Sequence, residues 1–454
     1  MIPAGENGSV ARGTSGSTLW LIFLGGLVLV LAFWWLGSGS KPVRSIADQL
    51  NATGRVAALV GTYLILWQLL LVARVPWLEE AFGMERLALL HRWNAYPAVG
   101  LIVAHVVLQT LGYQIDSHVT TLAQLGDFVA HYDGLLGAIV GFLLLVAVTL
   151  LSVAIARRYL SYHAWYFVHL YSYLAVALAF VHQLATGVDF IDNPLFVAYW
   201  YALYVVVIGS LVLYRVLSPM ARFAHHRFRV QRVQREANGT VSIYVEGKHL
   251  DTLMYEPGQF MIWRFLDRER WWEAHPFTLS APPNGRFLRL TIKDAGDFTS
   301  RAARIRPGTL VLIEGPFGHF TRRFCARPKA LLIAGGIGIT PIRALAEELA
   351  REGVNVCVLY RSHRDRDIAF RKELDKLATD HGVRVEYLPS DRSLLGRPAE
   401  EWLRPMNLAH IVPDVAEREV YVCGPAGLAT YVSRGLETLG VAPNQIHTEA
   451  FSFR

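Results

Sequence analysis

Six long apolar segments in the first half of this 454-residue chain constrain its fold more than any other feature. A helix of about 20 apolar residues spans the ~30 Å hydrocarbon core of a bilayer. We predict membrane helices at residues 19–36, 56–73, 91–112, 135–156, 163–185 and 194–214. The first half of the chain is therefore predicted to be an all-α, six-helix transmembrane bundle.

The second half of the chain holds most of the charged residues, and its pattern changes near residue 327. Runs such as RFRVQRVQRE, GTVSIYVEG, GQFMIWRF and RFLRLTIKD predict an antiparallel β-barrel. Later strands such as KALLIAGGIG and REVYVCGP alternate with helical stretches, which predicts an α/β domain with a parallel sheet. The predicted divisions are an N-terminal segment 1–18, a transmembrane domain 19–220, a barrel domain 221–326 and an α/β domain 327–454.

Lysine and arginine positions predict the orientation of the bundle. The loops 113–134 and 186–193 contain neither residue, so we place them outside; Lys41, Arg44 and Arg55 then also lie outside, against the general rule. No cleavage site stands out in residues 1–17, so we expect a retained first helix in the plasma (inner) membrane, with both termini cytoplasmic. The net charge is +7, and the basic residues cluster just after membrane segments. No pattern of basic and aromatic residues suggests a nucleic-acid partner.

Two predicted membrane helices carry histidines at similar spacing. His91 and His105 are 14 residues apart in the third, and His169 and His182 are 13 apart in the fifth, or roughly 20 Å along each axis. Histidine in a bilayer needs a partner, so we expect His91 to face His169 and His105 to face His182. Two facing imidazoles can hold one haem iron, which predicts two haems stacked across the membrane.

The alternative is that these four are core histidines with ordinary hydrogen-bond partners. An ideal helix also leaves His169 and His182 about 140° apart, so a local irregularity or two differently angled ligand bonds are required. His163, near the inner face, is expected to cap the helix or contact a haem propionate.

Turns in the second half carry the chemistry of nucleotide binding. HPFTLS offers Thr278 and Ser280 as donors for a flavin edge, and GDFTSRA opens a helix whose amides suit a pyrophosphate. GGIGITP follows a buried strand, where glycines let a phosphate-bearing ligand approach the backbone. CGP ends a later strand and brings Cys423 towards a nicotinamide; a small buried side chain is the alternative.

The segment YRSHRDRD follows a third strand of the α/β domain. Arg361 and Ser362, with Arg366 beside them, are suited to a 2′-phosphate and favour NADPH, with NADH also possible. Solvated arginines are the alternative.

These turns, in this order after a barrel, resemble the ferredoxin–NADP reductase superfamily. Joined to six helices with paired histidines, they resemble the NADPH oxidase and ferric reductase family, of bacterial type, from about residue 19 onwards. The resemblance implies FAD, NADPH and two b-type haems on His91, His105, His169 and His182. The nucleotide-binding residues that the motifs and the resemblance indicate are His275, Pro276, Phe277, Thr278, Leu279, Ser280, Asp297, Phe298, Thr299, Gly315, Gly335, Gly336, Gly338, Thr340, Pro341, Arg361, Ser362, Cys423, Gly424, Pro425 and Phe451.

Three further positions follow from the resemblance. Phe451, or else Phe453, corresponds to the aromatic residue that covers the flavin, and Arg55 to an arginine near the outer haem. Phe451, Cys423 and Arg55 are thus the expected catalytic residues. Gln109 replaces a histidine of the animal oxidases, which leaves the oxygen-handling site open.

The expected function is electron transfer from cytosolic NADPH through FAD and two haems to an acceptor outside, with oxygen giving superoxide as the first hypothesis. A ferric-chelate reductase and a redox module feeding a quinone or partner protein are the alternatives. No calcium-binding loop is seen and no obligatory protein partner is expected. A haem sensor without catalysis is disfavoured because it would not need two nucleotide sites.

Overall fold

The computed structural model describes residues 16–153, 159, 162–191, 193–237, 239–362, 364–389 and 403–451. The chain divides after Val216 into two compact units, the first helical and the second containing all the described strands. The predicted boundaries of the N-terminal segment 1–18, and between the domains 221–326 and 327–454, stay predictions.

The first unit contains seven α-helices among its described residues. They are α1 (Gly16–Trp34), α2 (Ile46–Leu71), α3 (Pro76–Ser117), α4 (Thr121–His131), α5 (Leu135–Ser152), α6 (Tyr162–Thr186) and α7 (Pro194–Val212). Six of them, all but α4, are long and apolar enough to cross a membrane, and they coincide with the six predicted segments. The prediction of a six-helix bundle is confirmed.

Helix α3 is much longer than the predicted span 91–112. Pro76 suits its first turn, and His118 ends it in a left-handed conformation. Gly83, with φ +71°, interrupts the helical geometry, so the residues before it form a separate turn of helix. Pro97 lies within the membrane part, between His91 and His105.

Large apolar side chains lie exposed on the outer faces of these helices, including Leu21, Val28, Leu143, Leu195 and Val205. A soluble protein rarely exposes so much contiguous apolar surface, because its hydration is unfavourable. Facing lipid, the same surface costs nothing. The chain is therefore a multi-pass membrane protein.

Two helix pairs in the bundle pack closely through glycines. A Cβ on Gly61 of α2 would lie 3.0 Å from Ile102 Cδ1 of α3. A Cβ on Gly141 of α5 would lie 2.7 Å from the Ala175 carbonyl oxygen of α6. Small residues allow such approaches between membrane helices. Each pair thus holds one histidine-bearing helix, α3 or α6, against a neighbour whose backbone is within reach.

The second unit begins with α8 (Ser218–His226) and two antiparallel three-stranded sheets. The sheets are ordered β1-β2-β5 and β4-β3-β6, and isolated bridges Arg229–Leu310 and Leu279–Leu290 connect them. The strands are β1 (Arg229–Ala237), β2 (Thr240–Glu246), β3 (Phe260–Phe265), β4 (His275–Thr278), β5 (Leu288–Lys293) and β6 (Val311–Phe317), with α9 (Asp297–Arg301) after β5. The predicted antiparallel strands are confirmed; β6 was not predicted.

The remainder forms a five-stranded parallel sheet, ordered β11-β10-β7-β8-β9, with helices between its strands. Its elements are β7 (Lys329–Gly335), α10 (Ile339–Arg351), β8 (Asn355–Ser362), α11 (Arg371–His381), β9 (Arg384–Pro389), α12 (Pro405–Ile411), β10 (Glu419–Pro425), α13 (Ala426–Thr438) and β11 (Ile446–Phe451). Separate apolar clusters cover the two faces of this sheet. The predicted α/β domain is confirmed, with β11 as an unpredicted edge strand.

A glutamate on α10 titrates abnormally because of its position. Burial raises the pKa of the Glu348 carboxyl to about 7; the Glu352 and Glu256 carboxylates add to the rise, and Arg322 and Arg351 oppose it. The folded chain therefore binds this proton more tightly than the unfolded chain, whose value is 4.5. The resulting stability is complete below the unfolded pKa and is lost as the pH rises through about 7.

We therefore predict that Glu348→Gln loses less stability than the wild type between about pH 5 and about pH 8, because its side chain has no proton to release. The measurement is the melting temperature of the second unit in the full chain across this range. Glu437→Gln, at an exposed position of α13, is the control and should follow the wild-type curve. Parallel curves for Glu348→Gln and the wild type would contradict the prediction.

Candidate functional site

The first predicted histidine pair is close in space. The ring centroids of His91 on α3 and His169 on α6 are 6.0 Å apart. Two imidazoles that share one metal at a metal–nitrogen distance of about 2 Å have centroids roughly 6 Å apart. The separation therefore fits one iron atom between the two rings.

Helix α2 fixes the ring of His91. The Nδ1 atom of His91 lies 3.0 Å from the Gln68 carbonyl oxygen, and Gln68 Nε2 donates to the His91 carbonyl oxygen at 2.6 Å. Asn94 Nδ2 donates to Gln68 Oε1 at 2.8 Å. Since a carbonyl only accepts, Nδ1 carries the proton and Nε2 keeps its lone pair. That is the tautomer a metal-ligating histidine uses.

The second predicted pair repeats this arrangement. His105 Nδ1 lies 3.0 Å from the Gly54 carbonyl oxygen, which again assigns the proton to Nδ1. His105 and His182 line the same cavity within the first unit. The structure thus places the His91 ring next to the His169 ring, and His105 and His182 on the lining of one cavity.

The two carbonyls on α2 are spaced like the histidines they serve. Gly54 and Gln68 are 14 residues apart, as are His105 and His91, and the two helices run antiparallel. One helix therefore orients both histidines of its neighbour. Sequence reasoning missed this role because every residue carries a carbonyl, so no residue type marks the acceptors.

The α6 histidines have different surroundings. His169 Nδ1 lies 3.2 Å from Ser152 Oγ of α5, which also accepts from Trp165 Nε1 at 3.1 Å. The Trp165 and His169 rings stack with centroids 5.1 Å apart. The sequence allowed for a local irregularity between His169 and His182, but α6 is one continuous helix. The proline lies in α3, between its own two histidines. The side chain of His163 lies outside the described residues.

Polar groups gather at one end of the cavity that contains His105 and His182. Arg55 Nε lies 3.8 Å from Asp189 Oδ2, and the Ser38 hydroxyl donates to Asp189 Oδ1. Asp189 is only 4% exposed. Gln109 Nε2 donates to the Asn51 carbonyl oxygen at 2.8 Å. Arg55 therefore lines the same cavity as His105 and His182, and its predicted place near a haem stays a prediction; Asp189 was not predicted.

The predicted flavin strand, β4, is at the edge of its sheet, so part of its backbone is available to a ligand. The His275 ring stacks on Phe298, with centroids 4.1 Å apart, and His275 Nε2 lies 3.5 Å from the Glu273 carboxylate. Pro276, between His275 and Phe277 in the strand, is exposed. This brings the HPFTLS and GDFTSRA motifs together.

The hydroxyl groups of Ser280 and Thr299 are both engaged within the protein. Ser280 is fully buried, and its Oγ lies 2.8 Å from Thr291 Oγ1 and 3.1 Å from Arg289 Nε. Thr299 Oγ1 donates to the Gly296 carbonyl oxygen within its own turn. The Ser280 side chain therefore serves the protein interior, and its backbone N–H donates to the Arg289 carbonyl oxygen at 2.8 Å. Gly315, with φ +120°, lies on β6 across from β3.

The predicted residues for the second nucleotide converge at the carboxyl ends of the parallel strands. Gly335 of β7 pairs with Arg361 of β8, and Pro425 of β10 pairs with Phe451 of β11. Gly424 lies so close to Gly335 that a Cβ added to Gly424 would be 3.1 Å from the Gly335 Cα. Ligands of open α/β sheets bind at this edge.

Some side chains of this edge are less accessible than predicted. Cys423 is fully buried, and burial raises its thiol pKa well above the usual value, so the thiol stays neutral. Ser362 is buried and donates to the Arg364 carbonyl oxygen, and Arg366 is exposed. The Phe451 side chain and Phe453 lie outside the described residues.

Three segments match known protein families. Residues 57–180 match a ferric reductase like transmembrane component, residues 225–321 an FAD-binding domain, and residues 332–434 an oxidoreductase NAD-binding domain. The matched segments follow one another in the predicted domain order, and the second unit therefore comprises an FAD-binding and an NAD-binding domain.

Individual proteins are similar over about half of the chain. A Mycobacterium tuberculosis NADPH oxidoreductase is 28% identical over 52% of this chain and 62% of its own length. A Pseudomonas aeruginosa flavohemoprotein is 31% identical over 50% of this chain and 58% of its own. The chain thus spans about three-fifths of the length of these relatives. The flavohem-like FAD/NAD-binding domain of a Vibrio cholerae nitric oxide dioxygenase is 27% identical over 49% of this chain and 97% of its own, with a TM-score of 0.43.

The packing of the glycine turn after β7 against β10 can be tested by substitution. A Cβ on Gly338 would lie 2.1 Å from the Cys423 carbonyl oxygen, and backbone atoms cannot move away cheaply. We predict that Gly338→Ala lowers the free energy of unfolding by about 1–3 kcal/mol or more, measured by denaturant unfolding. Gly427→Ala on α13 meets nothing within 4 Å and is the control. Equal stability of both variants would show that the turn is not packed on β10.

Proposed function

We propose, from the premise that this chain has the domain composition of the ferric reductase and NADPH oxidase family, that it is a transmembrane oxidoreductase. It would pass electrons from cytosolic NADPH to oxygen outside the plasma (inner) membrane, giving superoxide. Bound FAD and two b-type haems would supply the redox chemistry, with hydride accepted at the flavin and single electrons carried across the bilayer. The chain's own part is ligation, orientation and exclusion of water.

The observation that carries the proposal is the geometry of the histidine pairs. His91 and His169 are separated as two ligands of one iron would be, and α2 holds His91 and His105 with their Nε2 atoms free to coordinate. Among the described residues no group of three or more His, Cys, Asp and Glu side chains is placed to hold a metal ion. Two imidazole nitrogens are the ligands that the chain would supply to each haem.

At the nucleotide end, the chain would present backbone to both cofactors. We propose that β4 binds the flavin edge and that Phe298, stacked on His275, supports that strand from behind. The glycines of the turn after β7 would cradle the NADPH pyrophosphate at the start of α10. Arg361, whose strand ends at the same edge, would contact the 2′-phosphate, and Phe451 would cover the flavin.

The cavity that contains His105 and His182, which would lie on the outer side, favours a small neutral acceptor. Apolar side chains form most of its lining, and the charge of Arg55 faces the buried carboxylate of Asp189. A cation already paired in this way attracts a bulky anionic ferric chelate less than a free one would. We therefore prefer oxygen over a ferric chelate, and both over a quinone or partner protein.

The experiment that tests the function follows the electrons in purified protein loaded with FAD. NADPH is added without oxygen while the flavin and haem absorbance are recorded; oxygen is then mixed in with a superoxide trap, with and without dismutase. Fast haem reoxidation and a dismutase-sensitive signal are expected. Slow reoxidation by oxygen and fast reoxidation by a ferric chelate would transfer the assignment to a reductase, and unreduced haem would contradict electron transfer itself.

A ligand substitution separates the two haem positions. We predict that His105→Leu loses one of two haems and at least about 100-fold of the oxygen-reduction rate, because leucine could not ligate the haem that His105 would hold. Reduction of the flavin by NADPH should stay within twofold of wild type. His131→Leu removes an exposed histidine of α4 and should keep both haems. Two haems and full turnover in His105→Leu would refute the assigned pairing.

A further inference from the structure

A buried arginine joins the FAD-binding and NAD-binding domains of the second unit. Arg289 on β5 is 4% exposed and binds Glu373 of α11 through both guanidinium nitrogens, NH1 to Oε1 at 2.6 Å and NH2 to Oε2 at 3.0 Å. The same guanidinium donates to Ser280, from NH2 to its carbonyl oxygen at 2.6 Å and from Nε to its Oγ at 3.1 Å. One planar side chain thus holds two segments that belong to different domains.

A second arginine completes the arrangement. Arg343 on α10 lies with its Nε 2.7 Å from Glu373 Oε2, and its NH1 donates to the Ser280 carbonyl oxygen at 3.5 Å. We call these four residues, Ser280, Arg289, Arg343 and Glu373, the Arg289 cluster. Burial opposes the charge of Glu373, but the two arginines lower its pKa below the usual value, so the carboxylate stays ionised.

The cluster joins the segments that contain the proposed nucleotide contacts. Ser280 is the last residue of the HPFTLS motif. Arg343 lies in the second turn of α10, directly after the glycine turn. Glu373 lies in the first turn of α11, and Phe370, at the start of that helix, has its ring 4.6 Å from the Arg289 guanidinium carbon. The flavin strand, the pyrophosphate turn and the helix after the Arg361 segment therefore meet at one buried point.

Energetics favour a geometric role over simple stabilisation. Removing two charges from water is expensive, and a buried ion pair is often no more stabilising than apolar residues of similar volume. A bidentate arginine–carboxylate pair nevertheless fixes distance and direction, which lysine cannot do. In some proteins, buried polar or ionic groups specify one arrangement among several.

We propose that Arg289 is a positioning residue that sets the separation of the flavin strand and the nicotinamide-nucleotide turns, and thereby the rate of hydride transfer. The proposal rests on the proposed function. In that step the C–H bond of reduced nicotinamide breaks, its electron pair and hydrogen form a bond to the flavin, and a solvent proton completes the reduced flavin. Arg289 exchanges neither protons nor electrons; it acts through Ser280 and Glu373.

The test uses full-length protein loaded with FAD and compares Arg289→Lys and Glu373→Gln with wild type. Both substitutions disrupt the bidentate ion pair, the first with charge retained. A misplacement of about 1 Å between reacting groups can cost 100-fold in rate. We expect the limiting rate of anaerobic flavin reduction by NADPH to fall about 10- to 100-fold, with KM for NADPH changed less than about threefold.

Asp414→Asn is the matched control. Asp414 binds Arg418 through both carboxylate oxygens, at 2.8 and 3.0 Å, but both residues belong to the NAD-binding domain. This variant should lower the melting temperature and leave the limiting rate within twofold of wild type. The double variant Arg289→Lys/Glu373→Gln should be no slower than the slower single variant, because both remove the same contact.

Amide hydrogen exchange of the FAD-free protein gives a readout independent of turnover. Exchange at residues 279–281 and in the first turn of α11 should accelerate in Arg289→Lys and Glu373→Gln and stay unchanged in Asp414→Asn. Wild-type rates and wild-type exchange in a folded Arg289→Lys would overturn the proposal, as would an equal fall in the Asp414→Asn rate. If wild-type protein did not reduce its flavin with NADPH, the proposed function would fail, and the exchange comparison alone would decide the cluster.

Discussion

An imidazole inside a bilayer has two nitrogens to satisfy and no water with which to do so, and the first unit depends on how it meets that constraint. Backbone carbonyls of Gly54 and Gln68 accept hydrogen bonds from the Nδ1–H groups of His105 and His91. A helical carbonyl can accept a second hydrogen bond, so α2 loses nothing by this. What remains on each ring is an Nε2 lone pair directed away from α2, and a pair of such atoms from two helices is a haem site in the proposed function.

Close helix packing makes that hydrogen bond possible. A Cβ at Gly54 would lie 3.2 Å from Leu108 Cβ of α3, so a larger residue would crowd α3 at the carbonyl that His105 contacts. Gly137 and Gly141 of α5 allow α6 a similarly close approach. The exposed apolar side chains on the outer faces determine which surfaces meet lipid. The glycines between the helices determine how closely the helices pack, and thereby which carbonyls the histidine rings can reach.

The sequence predicted the parts whose signals lie in residue type and spacing. Apolar runs gave the six helices, histidine depth gave the pairs, and glycine turns after buried strands gave the carboxyl edge of the parallel sheet. It missed the acceptors on α2, because a carbonyl leaves no trace in residue identity. It assigned the Ser280 hydroxyl to flavin, although the Arg289 cluster uses that side chain, since Glu373 is 84 residues from Arg289 and no local pattern joins them. The buried Asp189 beside Arg55 was missed for the same reason, because the two residues are distant in sequence.

The central claim is that four histidines, oriented in part by one neighbouring helix, bind two haems. The most direct measurement is the haem content per chain of purified protein, together with a magnetic spectrum that identifies the axial ligands. We predict two haems per chain, each low-spin with two imidazole ligands. Folded protein that binds no haem, or a single haem with one histidine ligand, would contradict the account.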